Sequence, residues 1–188
     1  IFSIEAMAMS ENAKARGERW NDPKNPGRIY LCGKGVARNL QQGSESERLL
    51  LTMREAFRRR CREMTEKVDS ILRWIDPSLM LSFDDVLSLT PRGNVTERHL
   101  AQAMGELINR NFPEEDDRKE FLKKFLGRFK DDEIRDEGTF QDLIRNRLLK
   151  AEGPAYVEEP PEAFPSLDKL VKLFRDYGSI PTYPVLGN

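Results

Sequence analysis

Only two cysteines, Cys32 and Cys61, occur in the 188 residues. That excludes a disulfide scaffold and a Cys-rich zinc site, and it suits a reducing, cytoplasmic compartment. There is one histidine, His99. Ser-His-Asp or Cys-His catalysis would have to use it, and a multi-histidine metal centre cannot be assembled from this chain alone. Neither sign of charge is in excess, with 31 Lys and Arg against 32 Asp and Glu. So even a balance argues against a nucleic-acid binder driven by bulk charge. No apolar run approaches the roughly 20 residues of a bilayer span, so no membrane partner is expected. The first residue is Ile1, with no basic-then-apolar leader before it, and the chain reads as a piece of something longer.

What is present is charge and helical period. Charged residues make up 34% of the chain, against about 25% in an average soluble domain, an excess suited to the outer faces of amphipathic helices. Residues 1–43 form a strand-turn-strand portion. Ile1 to Ile4 and Arg28 to Cys32 are short and rich in β-formers, a helix-permissive stretch runs from Ala6 to Arg19, and Gly33-Lys34-Gly35 ends the second strand. Residues 44–151 read as a helical block. A capping-box pattern at Ser44 to Glu47 opens a helix whose apolar residues recur at Leu50, Met53, Phe57, Cys61, Met64, Val68, Ile71 and Ile75. These spacings describe one face of a helix about 40 Å long, stopped by Asp76-Pro77. Shorter helices are predicted after Ser82, after Asn94 or Thr96, after Pro113 and from Thr139, with Phe121, Phe125 and Phe129 in the core. Residues 152–188 return through a proline-rich link to a helix capped by Ser166 and closed by Gly178, then a strand from Ile180 to Val185.

Several groups could carry chemistry. Arg58-Arg59-Arg60-Cys61-Arg62 could hold phosphate or nucleic acid, but one helix spreads four nearby arginines in several directions, and a solvated face is the commoner outcome. Arg92-Gly93-Asn94-Val95-Thr96-Glu97-Arg98-His99 is denser. A glycine turn leads into a helix N-terminus, where free N–H groups and the dipole favour an anion. Arg92 and Arg98 add donors for a bound phosphate or carboxylate, and His99 is the candidate catalytic proton donor. The ordinary alternative is a capped helix start with a packed histidine. Gly33-Lys34-Gly35 lacks the spacing of a phosphate loop and reads as a turn. Glu5, after an apolar strand, is the candidate metal ligand, because oxygen ligands at strand ends converge in α/β sites.

In order along the chain, these pieces resemble the polymerase and histidinol phosphatase (PHP) superfamily of metal-dependent phosphoesterases. Ile1 to Glu5 looks like that family's strand ending in a metal-binding Glu, and Arg28 to Gly35 is similar to the strand that follows. Thr96 to Ala101 is similar to an Arg-His helix start in the helical insertion of its small members, and Gly153 to Val157, a Pro-rich link, a capped helix and Gly178-Ser179-Ile180 follow in order. The resemblance implies a mainly α chain, a bundle-like helical insertion flanked by short strands of an incomplete α/β barrel. It implies divalent metal ions (Mn, Zn or Mg) in the parent protein and a phosphorylated small molecule as substrate. The other partner is then the rest of the α/β domain. Glu5 is carried over as a metal ligand, and Arg98 and His99 as substrate contacts. The alternative is a non-catalytic helical interaction module, forming a homo-oligomer through the long helix.

Overall fold

The computed structural model describes residues 2–91 and 93–185. Its chain is mainly α, with short strands. The strands are β1 (Ser3–Met9), β2 (Arg28–Lys34) and β3 (Ile180–Thr182). The helices are α1 (Glu11–Ala15), α2 (Glu45–Ile75), α3 (Phe83–Ser88), α4 (Glu97–Asn111), α5 (Glu115–Leu126), α6 (Asp132–Arg135), α7 (Glu137–Ile144) and α8 (Leu167–Asp176). A π turn, Arg145–Leu149, continues α7. Among the described residues no helix is long and apolar enough to cross a membrane.

Two compact units emerge, one from Ile1–Ala56 with Pro160–Asn188, the other from Phe57–Glu159. The segments on either side of the helical middle thus meet in one unit. The division falls inside α2, whose predicted stripe is buried at Met53, Cys61, Met64 and Val68, half-buried at Leu50, Phe57, Ile71 and Ile75, and joined by Leu72. Ser44 Oγ accepts the Glu47 N–H at 3.1 Å, which is half of the predicted capping box, while the Glu47 carboxylate reaches past Ser44 to accept the Gly43 N–H at 2.5 Å. Cys61, Met64, Val68 and Leu72 of α2 are buried in the core of the second unit, with Leu100, Met104, Ile108, Leu122 and Ile144. Of the two uses open to this apolar seam, a dimer interface or packing within the chain, Cys61 to Leu72 take the second.

In the first unit the order of strands is β1-β2-β3, antiparallel throughout. An α/β barrel is built from parallel strands. Here the Ser10 N–H donates to the Gly27 carbonyl at 2.8 Å and closes β1 and β2 into a long hairpin. Ile4 lies opposite Gly33, Ala6 opposite Leu31 and Ala8 opposite Ile29. This face is covered by Leu170, Leu173 and Phe174 of α8. The helix-permissive stretch from Ala6 onward is a correction. Ala6 to Met9 are strand, and only Glu11–Ala15 turns helical, capped by Ser10. Ile4, Ala6 and Ala8 lie on the face beneath α8, the two alanines leaving room for it, so packing outweighs the helix propensity of Ala and Met. The last strand is also shorter than expected, ending at Thr182.

Gly33 is required by close approach. A Cβ there would stand 2.6 Å from Ser179 Oγ, 2.9 Å from Ile4 Cγ1 and 3.1 Å from the Phe174 ring. Gly33→Ala is expected to lower stability by about 1–3 kcal/mol, measured by urea unfolding of the full chain. An unchanged midpoint would mean that α8 does not sit on β2 this closely.

Candidate anion site at the start of α4

Thr96, in extended backbone, is the N-cap of α4. The helix forms because Leu100, Ala101, Ala103, Met104, Leu107 and Ile108 give it a buried stripe. Its first turn exposes the free N–H groups and positive dipole end common to all helices. His99, at the third helical position, takes the part that Glu plays in an ordinary capping box. Its Nδ1 accepts the Thr96 N–H at 3.1 Å and lies 3.0 Å from Thr96 Oγ1. With Nδ1 accepting, the neutral ring carries its proton on Nε2.

The neighbouring Glu97 gathers charge from three parts of the second unit. Its Oε1 accepts from Arg60 Nη2 at 2.9 Å and its Oε2 from Lys150 Nζ at 2.6 Å, with Arg145 Nη2 at 3.8 Å. Burial by itself would raise the Glu97 carboxyl, but the hydrogen bonds and charges of Lys150 and Arg60 together hold it below the usual carboxylate range. Arg60 is only 6% exposed. Its Nε donates to the Val157 carbonyl at 2.8 Å and its guanidinium lies 5.8 Å from the Tyr156 ring centroid. Arg145 Nη1 donates to Asp142 at 2.8 Å, and its Nε is buried with no partner. Arg98, well exposed, lies 3.6 Å from the same carboxylate.

The π turn aims Arg145 and Lys150 at Glu97. Beyond it Glu152 has a positive φ, and a Cβ on Gly153 would meet the Leu148 carbonyl oxygen at 2.5 Å. Gly153 is therefore the residue that lets the chain fold back so that Tyr156 and Val157 reach Arg60. Arg60, Arg98, Arg145 and Lys150 thus face two carboxylates, Glu97 and Asp142. The surplus is positive, and it stands at a helix N-terminus.

Of the sequence candidates, Arg98 and His99 lie in this site. Arg92 lies outside the described residues. Glu5 lies elsewhere, in the first unit, exposed in the middle of β1 rather than beyond a strand end, because the strand continues to Met9. It faces Cys32 across the ladder, and its carboxylate and Cys32 are hydrogen-bonding neighbours of the Tyr30 phenol; burial first, then these two groups, push that phenol above its ordinary value. A carboxylate with a phenol and a thiol is not the oxygen-rich set a hard divalent ion takes. Among the described residues no three His, Cys, Asp or Glu side chains come together as a metal site. Arg145 and Lys150 carry no mark in the linear sequence, Glu97 stands in the Arg92–His99 stretch without a role of its own, and Arg60 departs from the solvated face expected for its run. Arg60 did carry a signal, since it stands three residues after Phe57 and four before Met64, on the apolar stripe. Arg62 also departs from a simple solvated face, with its guanidinium 4.4 Å from the Phe83 ring centroid.

Two outcomes follow for the full chain. His99→Ala is expected to cost about 1 kcal/mol as a lost cap, and His99→Gln to retain most of that stability, because Gln supports the same box. Glu97→Ala leaves Arg60 buried without its carboxylate and is expected to cost about 3–5 kcal/mol. Since the folded Glu97 titrates below its unfolded value, its contribution is complete above the ordinary glutamate range and is lost as pH falls through the lower, folded value. Denaturant unfolding across acidic pH checks this, with Glu97→Gln expected to flatten the acid slope. No family model, curated protein or solved structure matches the chain.

Proposed function

We propose that the second unit binds a phosphorylated small molecule at the start of α4, as the helical region of a metal-dependent phosphoesterase of PHP type. The observation that carries the anion reading is the surplus of cations there, together with the buried, unpartnered Nε–H of Arg145. Arg98 and Lys150, both accessible, would contact phosphate oxygens directly. Arg145 would hold them from beneath, and the first-turn N–H groups would add their dipoles. His99 Nε2–H is the available proton donor at this turn, while its Nδ1 keeps the cap. The phosphoesterase part rests on the family resemblance. In that reading hydrolysis needs divalent ions held by other polypeptide, since the neighbours of Glu5 do not suit one, and this chain alone has little turnover. The buried free thiols of Cys32 and Cys61 accord with a cytoplasmic setting.

A second reading, a non-catalytic helical interaction module, is favoured by Trp74 and Met80, which are 86% and 62% exposed around the end of α2. Large apolar side chains so exposed are a mark of interaction surfaces.

Titration calorimetry with phenyl phosphate, and with inorganic phosphate as control, tests the first reading. Saturable binding that weakens with added salt is expected, with at least a tenfold loss in Arg98→Ala/Lys150→Ala. Absence of binding at millimolar ligand would overturn it.

A further inference from the structure

The last turn of α2 ends with more acceptors than donors. The carbonyls of Arg73, Trp74 and Ile75 lack the N–H that a continuing helix would bring four residues on. Pro77 has none to give, the Ser78 N–H goes to Asp76 Oδ1 at 2.9 Å, and the Leu79 N–H goes to the Asp76 carbonyl at 3.1 Å. Asp76 itself adds a carboxylate at the negative end of the helix dipole, where a cation is the favoured charge. Hydrogen bonds from the Ser78 hydroxyl and N–H hold this carboxyl below the usual range, so it stands ionised.

This end of α2 opens onto a groove of about 430 Å³, shared with the end of α4 and one side of α5. The floor is apolar. Ile75 and Phe112 are half-buried there, and Phe112 stacks on Phe121 with ring centroids 4.5 Å apart. The rim is acidic, because Asp117 and Glu120, one turn apart on α5, join Asp76. Lys124 is the cation of the lining, and its Nζ already donates to Glu120 at 2.9 Å. Two arginines nearby in the chain are occupied as well: Arg73 pairs with Asp69, and Arg118 donates to the Phe112 and Pro113 carbonyls. Asp117 has no ion-pair or hydrogen-bond partner among the described residues.

We infer that this groove docks a basic segment of a partner protein, with an arginine or lysine side chain among Asp76, Asp117 and Glu120 and its apolar neighbours against Ile75 and Trp74. Charge selects the occupant. Nucleic acid, an anionic lipid surface or an acidic protein is repelled by such a rim. A single metal ion does not suit it, because among the described residues no three such carboxylates come together around one point. An extended cation with several N–H donors answers both the separated carboxylates and the unpaired carbonyls. The apolar part distinguishes a protein segment from a free amine. Trp74, beside Ile75 in the chain, and Met80 are largely exposed, and only a ligand that reaches beyond its charged group covers them. The groove lies at the opposite end of α4 from the anion site, so either can hold without the other.

Fluorescence anisotropy of the full chain with a short labelled peptide alternating arginine and leucine tests the inference. Saturable binding that weakens with added salt is expected, and the same peptide with glutamate in place of arginine should not bind. Asp117→Asn/Glu120→Gln changes only exposed side chains, so it should weaken binding about tenfold while leaving the far-UV spectrum unchanged. Trp74→Ala should weaken it several-fold. Phenyl phosphate binding should be the same in these variants as in the native chain. No binding of the arginine–leucine peptide at millimolar concentration would overturn the inference, and so would binding indifferent to the groove variants. Argininamide binding as tightly as the peptide would also overturn it, by assigning the groove to a small cation. A dimer in sedimentation velocity that the double variant dissolves would do the same, by assigning the groove to a second copy of the chain.

Discussion

The second unit depends on one carboxylate. Glu97 is largely shielded from water, and it is charged because Arg60 from α2 and Lys150 from beyond the π turn bond both its oxygens. Each group would be costly to bury alone, and the arrangement persists because no member is left without its counter-charge. The constraint reaches outward from there. Arg60 also ties down the Val157 carbonyl, so the irregular chain after Leu149 is held against two helices. The same residues that hold this chain in place leave a positive surplus at the end of α4. In the proposed reading, structural and anion-binding roles share one set of side chains.

The first unit is organised by a different economy, that of small residues. Ala6, Ala8 and Gly33 let α8 come close enough to seat Phe174 and Leu170 on a sheet of only three strands. A sheet this small has two edges for one central strand, and the two edges of this one carry different chemistry. Pro181 stands in one edge, while on the other the Met9 N–H is taken by the Pro165 carbonyl.

Much of the helical architecture was legible. The 3- and 4-residue spacing in α2 survives because nearly every residue on that stripe enters a core, and Ser82, Thr96 and Ser166 stand where helices begin. What misled was local preference without its surroundings. Ala6 to Met9 have residues that favour helix, yet they lie in a strand under α8. The site was half legible for the same reason. Arg98 and His99 announce themselves beside a helix start, whereas Glu97, Arg145 and Lys150 are ordinary surface residues in a linear reading, up to 53 positions apart.

By itself, the sequence determined where the longer helices of the middle and the last helix run and which face of each is apolar, because period and caps are local properties of neighbouring residues. It also determined that His99 is the sole imidazole, and so bounded the chemistry. Only the tertiary structure decided that Glu5 stands in the middle of an edge strand, that His99 spends one nitrogen on its own helix, and that Arg60 turns inward. The physical reason is that charge pairing and strand register depend on distances between residues remote in the chain, and those distances exist only once the chain has folded.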